Sequence, residues 1–408
     1  MRALLAAVGT RGDVQPAVAL ALELRKLGHE VRLCISPNFV EWAKGLGLDA
    51  RPMGVEMRAP ARGAGPPRAL SAEELRKLRE SMPDLITDQF ETIGAAVEGC
   101  AVIVGANAHQ YAAPSIAERN GIGCVTAVYA PSSVPSLQLA PPPTPGQAEG
   151  TQLGIEQRWR NTKKAWNDRS LERVNDNRRR LGLGEIDDVL EYTLTDHTWL
   201  AADAALATVP ATPGRKILQT GAWVLRDRTP LSAELEAFLD SGDSPIFVGL
   251  GSMPAAADVS RPLIGATRAV GRRTLVSRGW AGLDVIDEAG DCLAIGEVSH
   301  ELLFPRVAAV VHHGGAGTTA AAARAGIPQV VTPMFGDQPY WAGRVVDLGL
   351  GAAVSYGAIT EESLANALRH ALDPAVARRA RELAAQLRSD GAAVAARELE
   401  AQFGTAAK

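Results

Sequence analysis

The fold is decided by residues 3–35, ALLAAVGTRGDVQPAVALALELRKLGHEVRLCI. Residues 3–8 form a short apolar run. Val14 to Leu27 carries a helical pattern that Gly28 closes, and Val31–Ile35 is the next apolar run. Strand, helix and strand within about 35 residues make a βαβ unit, which requires a parallel sheet.

Outward from this unit the alternation continues, with Ala101–Val104 as strand, Ser115–Arg119 as helix and Cys124–Tyr129 as strand. It stops between Pro131 and Gly150, where Pro141-Pro142-Pro143-Thr144-Pro145-Gly146 fits neither a regular helix nor a central strand. A polar, arginine-rich helix from Ile155 to Leu181 reads as a solvated outer element, with a contact to anionic lipid or an acidic acceptor as the alternative. A second βα series opens at Pro245–Ser252 and continues with strands near 274–277, 292–295, 307–312 and 328–332. From Glu361 onward the chain is mostly helical and rich in alanine.

Two successive βα series predict an α/β protein of two Rossmann-like, doubly wound domains facing each other across a cleft. The expected layout is an N-terminal domain at 1–205, a linker at 206–226, a C-terminal domain at 227–388 and a final helix at 389–408. Pro210, Pro213 and Gly214 interrupt the pattern at the join. A length of 408 residues also exceeds what one hydrophobic core usually supports.

Bulk properties exclude several classes of function. A net charge of -4 and a pI near 6.0 argue against nucleic acid as a partner. Cys34, Cys100, Cys124 and Cys292 form no CxxC pair and no metal-ligand spacing, so neither a zinc site nor a disulfide framework is expected, and a reducing cytoplasm fits. The first apolar run is too short for a secretory h-region, and no stretch of 18 apolar residues exists to span a bilayer. A monomer is the default expectation.

Three motifs carry chemistry. In the first, the run Val307–Val311 ends in His312-His313, and Gly314, Gly315 and Gly317 then open a helix through Thr318. Glycines let a backbone approach a ligand closely, and unpaired amides at a helix start favour a diphosphate. The alternative is a plain strand-to-helix turn. No GxGxxG follows the first strand and no Gly-Lys-Ser/Thr is present, so neither the dinucleotide fingerprint nor a P-loop applies. The second motif is Asp13, at the carboxyl end of the first strand, which reads either as a helix N-cap or as a catalytic base. The third is Asp337-Gln338-Pro339, where an adjacent carboxylate and amide suit sugar hydroxyls, or where Asp337 simply caps a helix.

Taken together, several stretches carry a family likeness. They are Gly9–Pro16, Gly251-Ser252, Ser277-Arg278-Gly279-Trp280, the His312–Thr318 loop and Asp337–Val345, with Thr220–Trp223 and Pro230–Leu239. This set resembles the GT-B glycosyltransferases of actinobacterial natural-product pathways, and most of all the glycopeptide-antibiotic (vancomycin and chloroeremomycin) glycosyltransferases. The likeness covers most of 195–350 and is weaker over about 50–190. It implies an inverting, metal-independent transfer of a hexose from a UDP- or dTDP-sugar to a hydroxyl of a bulky aglycone, with no cofactor beyond the nucleotide sugar. A glycopeptide acceptor is expected first, with polyketides and glycolipids as wider possibilities.

By the same likeness Asp13 matches the base that activates the acceptor, where plant relatives carry a histidine. Ser252, His312, Gly314, Gly315, Gly317 and Thr318 match diphosphate contacts, with His313 the less certain of the two histidines. Trp280 and Val298 match positions beside the nucleotide base, Asp337 and Gln338 match sugar contacts, and Arg11 and Gly12 are grouped with the donor site. Two alternatives share this layout: a nucleotide-sugar 2-epimerase and a non-catalytic auxiliary protein.

Overall fold

A computed structural model describes residues 1–56, 84–107, 109–143, 153–212, 214–253, 255–256 and 258–404. The chain forms two compact units. The first comprises the described residues up to Leu225 together with those from Arg388 onward, and the second is Arg226–Leu387.

In the first unit, seven strands lie in one sheet: β1 Arg2–Ala7, β2 Glu30–Ile35, β3 Asp49–Pro52, β4 Val102–Ala106, β5 Gly123–Val128, β6 Thr198–Leu200 and β7 Ile217–Gln219. Their order is β3-β2-β1-β4-β5-β6-β7, and each pairing is parallel, with Leu5 opposite both Leu33 and Val104. β1 is buried at every position after Arg2, as a strand covered on both faces must be. The helix Arg11–Lys26 buries Val14, Ala17, Val18, Leu20, Ala21 and Leu24 on this sheet, and Gly28 ends it with a φ of 82°. β3, β6 and β7, only 3–4 residues each, fall below the periodicity signal of the sequence.

The expected linker at 206–226 therefore supplies a strand, β7, to the edge of the first sheet. The final helix, Gly391–Phe403, likewise packs in the first unit. Its Ala392, Ala395, Ala396 and Leu399 share a core with Val14, Leu20 and Leu24. A Cβ on Gly391 would lie 2.4 Å from the carbonyl carbon of Gly221, so only glycine lets this helix start where it does. The arginine-rich helix Ile155–Arg180 is less solvated than its composition suggests. Arg178 is 3% exposed and meets Glu118 at 2.8 Å, which holds that carboxyl below its usual range.

The second unit holds six strands: β8 Ile246–Gly249, β9 Thr274–Ser277, β10 Cys292–Ile295, β11 Ala309–His312, β12 Gln329–Val331 and β13 Gly351–Ala353. Their order is β10-β9-β8-β11-β12-β13. In each sheet the winding reverses at one place: between β1 and β4 in the first, and between β8 and β11 in the second. Open parallel sheets bind ligands beyond the carboxyl ends of the strands at such a reversal. Gly9–Asp13 follows β1 and Asn107 follows β4. In the second unit Gly251-Ser252 follows β8, and His313-Gly314 follows β11.

Candidate functional site

In the second unit, β11 turns into the helix Ala316–Arg324 with Gly315 at its N-cap. Thr319 N–H donates to Gly315 O at 3.0 Å, so the N–H groups of Ala316, Gly317 and Thr318 precede the first intrahelical bond. Side chains are excluded from the turn. A Cβ on Gly314 (φ 91°) would lie 2.7 Å from Val331 Cγ1, and one on Gly315 would lie 2.6 Å from His313 Nε2. Gly317 is exposed with open space around it. The His313 ring also abuts the other loop of the reversal, 2.8 Å from where a Cβ of Gly251 would stand. Gly251 O in turn accepts the Trp280 N–H at 3.0 Å, which ties the loops after β8 and β9 together. Ser252 and Trp280 are half-buried on these loops, and Val298 packs against the core around Phe304 and Leu303.

Asp337 starts the helix Gln338–Asp347, yet its carboxylate does not cap it. Oδ2 accepts the Trp341 indole N–H at 2.9 Å, and burial pushes the carboxyl above its usual range against that bond.

Asp13 is the centre of the first unit's reversal. The N-cap of its helix is Thr10, and Asp13 is the third helical residue. Oδ2 accepts the Thr10 main-chain N–H at 2.7 Å and the Thr10 hydroxyl at 3.2 Å, while Oδ1 accepts from Asn107 Nδ2. Ser36 holds the turn by donating to Gly9 O at 2.9 Å and accepting from Gly9 N at 2.8 Å. Gly9 has a φ of 139°, and a Cβ there would lie 2.2 Å from Asp13 Oδ2. Arg11 lies with its guanidinium 4.8 Å from the Trp42 ring centroid and 5.6 Å from that of Phe39, and Gly12 is exposed in the same first turn.

Comparison with known proteins gives the family. Residues 3–137 match the glycosyltransferase family 28 N-terminal domain, and residues 290–399 match the erythromycin biosynthesis protein CIII-like C-terminal domain. The vancomycin aglycone glucosyltransferase of Amycolatopsis orientalis is 45% identical over 401 residues, covering 98% of this chain and 97% of the relative. The chain belongs to the GT-B glycosyltransferases. A second relative from the same organism, dTDP-epi-vancosaminyltransferase, is 41% identical over 391 residues, 93% of this chain and 92% of the other. Among solved structures, the glycotransferase of kitacinnamycin shares the fold with a TM-score of 0.74 at 18% identity, over 98% of this chain and 99% of that one. These relatives give the epimerase reading no support.

Within the glycosyltransferase, two side chains that the likeness groups with the donor, His312 and Gln338, are hydrogen-bonded inside the protein. His312 is 0% exposed: its Nδ1 accepts the Gly314 N–H at 3.1 Å, which leaves Nε2 to donate to Gln329 Oε1 at 2.9 Å. Both ring nitrogens are thus used inside the protein, and burial pushes the ring's ionisation down to about 3. It is His313, placed second on strand alternation, whose ring lies between the two glycine loops. Burial holds it near 4, so it is neutral at pH 7. Alternation along β11 does put the two histidines on opposite faces, but the strand alone does not say which face is the core.

Gln338 is the second. It is 4% exposed, its Oε1 accepts the N–H of Met334 at 2.8 Å and of Phe335 at 3.3 Å, and its Nε2 lies 3.2 Å from Met253 Sδ. Its amide shapes the loop that presents Asp337. Asn107, Gln329 and Trp341 were missed in the sequence because each acts across the fold, on Asp13, His312 and Asp337 respectively. Only Asn107 had a local signal, its place at the end of a predicted strand. No group of three or more His, Cys, Asp or Glu side chains among the described residues is arranged to hold a metal ion, and no described helix is long and apolar enough to cross a membrane.

Proposed function

We propose that the enzyme transfers a hexose from a UDP- or dTDP-sugar to a hydroxyl of a natural-product aglycone, with inversion at the anomeric carbon. The observation that carries this reading is the division of labour between the reversals. One holds a carboxylate by both oxygens, and the other presents three helix-start amides in a glycine-lined turn. The first is suited to receive a proton and the second to receive a leaving diphosphate.

The acceptor oxygen attacks the anomeric carbon from the face opposite the departing nucleoside diphosphate. Its proton passes to the Asp13 carboxylate; carboxylates are weak bases for an alcohol, so the transfer belongs to the transition state rather than to prior deprotonation. A phenolic hydroxyl, near ~10, asks less of that base than an aliphatic alcohol. As the glycosidic bond to phosphate breaks, charge grows on the diphosphate. Amides already directed at it stabilise that charge without reorganisation, and His313 adds a neutral N–H. These groups supply what a divalent ion supplies elsewhere, and the nucleotide sugar is the only co-substrate required.

The names of the relatives support a glycopeptide aglycone as the first acceptor to try, and dTDP-sugars beside UDP-glucose as donors. Mass spectrometry with UDP-glucose or dTDP-glucose and vancomycin aglycone tests the class, with polyketide aglycones as the second panel. Asp13→Asn is expected to lower turnover by about 10²-fold while leaving donor affinity within about twofold. Wild-type turnover in that variant would make Asp13 a structural residue only.

A further inference from the structure

Asn107 is the only non-glycine residue among the described residues with a positive φ, at 76°. That conformation is unfavourable for any residue with a Cβ, although asparagine tolerates it better than most, and glycine takes it without strain. The position is imposed by the sheet. β4 runs beside β1, with Ala6 opposite Gly105, so the chain leaving β4 emerges next to the chain leaving β1. The Asn107 N–H is fixed to Ala127 O of β5 at 2.8 Å, and its side-chain amide donates to Asp13 Oδ1. Glycine would answer the backbone requirement; it would not supply the amide. An outlier whose side chain reaches the proposed base, one strand away, is strain retained for a purpose.

We infer that Asn107 is a positioning residue that locks the plane of the Asp13 carboxylate. With Thr10 donating to Oδ2 and Asn107 to Oδ1, rotation about the terminal torsion of Asp13 breaks at least one bond, so the acceptor meets its base in a single orientation. An amide has no exchangeable acid–base state in this range, so Asn107 itself does not relay the proton delivered to Asp13. The Tyr129 hydroxyl donates to Asp13 main-chain O at 2.9 Å, and its ionisation is pushed far up by burial. Arg11 stacks over Trp42 and Phe39, and His109 is held near 4 by burial.

The inference rests on Asp13 being the base, so the experiment separates the two. Asn107→Gly removes the amide and relaxes the backbone, whereas Asn107→Asp keeps the shape and opposes the base with a second carboxylate. The carboxyl of Asp13 is titrated by carbon-13 NMR in each full-length protein. Turnover and nucleoside diphosphate affinity are measured with UDP-glucose and dTDP-glucose, using water and vancomycin aglycone as acceptors. The expected midpoint of Asp13 rises from wild type to Asn107→Gly and further to Asn107→Asp, because a donor to the anion is lost and then a like charge is added. Turnover in Asn107→Gly falls about tenfold or more with the diphosphate dissociation constant within about twofold. An Asn107→Gly protein with wild-type titration and turnover overturns the inference. If Asp13→Asn instead retains full turnover, the base assignment itself fails, whatever Asn107 does to the titration.

Discussion

Replacing His312 by alanine decides whether that ring serves the ligand, as family likeness implies, or the fold, as its contacts show. The substitution leaves two buried polar groups without their partner, Gly314 N–H and Gln329 Oε1, the latter on a residue that is 0% exposed. Each orphaned group costs about 1–3 kcal/mol, and the lost ring leaves a cavity worth about 1 kcal/mol or more. A total of about 3–7 kcal/mol, at about 2–4 °C per kcal/mol for a domain the size of the second unit, lowers the unfolding midpoint by roughly 6–28 °C. His313→Ala removes a half-buried ring whose Nδ1 has no hydrogen-bond partner. It is expected to leave the midpoint within a few degrees and to weaken nucleoside diphosphate binding about tenfold.

Differential scanning fluorimetry and isothermal titration calorimetry with UDP and dTDP, both well below the lower midpoint, separate the outcomes. The same substitution also alters pH dependence. His312 titrates near 3 in the fold and near ~6.5 in an unfolded chain, so between those values the unfolded state binds the extra proton. The stability contributed by its neutral form is therefore complete above about 6.5 and drains as pH falls toward 3. His300 and His313, both held near 4, act in the same direction. Urea midpoints taken from pH 7.5 to 5 should thus fall less steeply in His312→Ala than in wild type. A His312→Ala protein with an unchanged midpoint and a large loss of diphosphate affinity would refute the reasoning and return His312 to the ligand.

Two further outcomes follow from close contacts. Gly9→Ala forces a methyl group into the space of the Asp13 carboxylate, 2.2 Å from Oδ2, and is expected to cut turnover at least tenfold in a steady-state assay while sparing donor affinity; unimpaired turnover would show that the turn relaxes freely. If Asp337 contacts the sugar, as the family likeness implies, Asp337→Ala should raise KM for the nucleotide sugar several-fold but leave the dissociation constant of the free nucleoside diphosphate unchanged. Equal losses for both ligands would instead mean that releasing Trp341 disturbs the whole loop.

Much of this was legible in the chain itself. Continuous apolar runs such as Leu4–Ala7, followed by an amphipathic stretch and a glycine, dictate strand, helix and stop through local sterics and burial. The glycines of 314–317 announce a turn without side chains for the same local reason. By contrast β7 and β13, three residues each, exist only because a neighbouring strand offers hydrogen bonds in register, and no window of sequence records that.

The pair His312-His313 marks the boundary. Sequence determined that two imidazoles end a strand before a glycine-rich helix start. Only the tertiary structure decided which is buried against Gln329 and which lies at the loops, since a strand has two faces and the sheet's packing chooses between them. Asp13 follows the same rule. Its place after β1 was written in residues 3–13, while its partner Asn107 lies 94 positions away and is brought to it by the adjacency of β1 and β4.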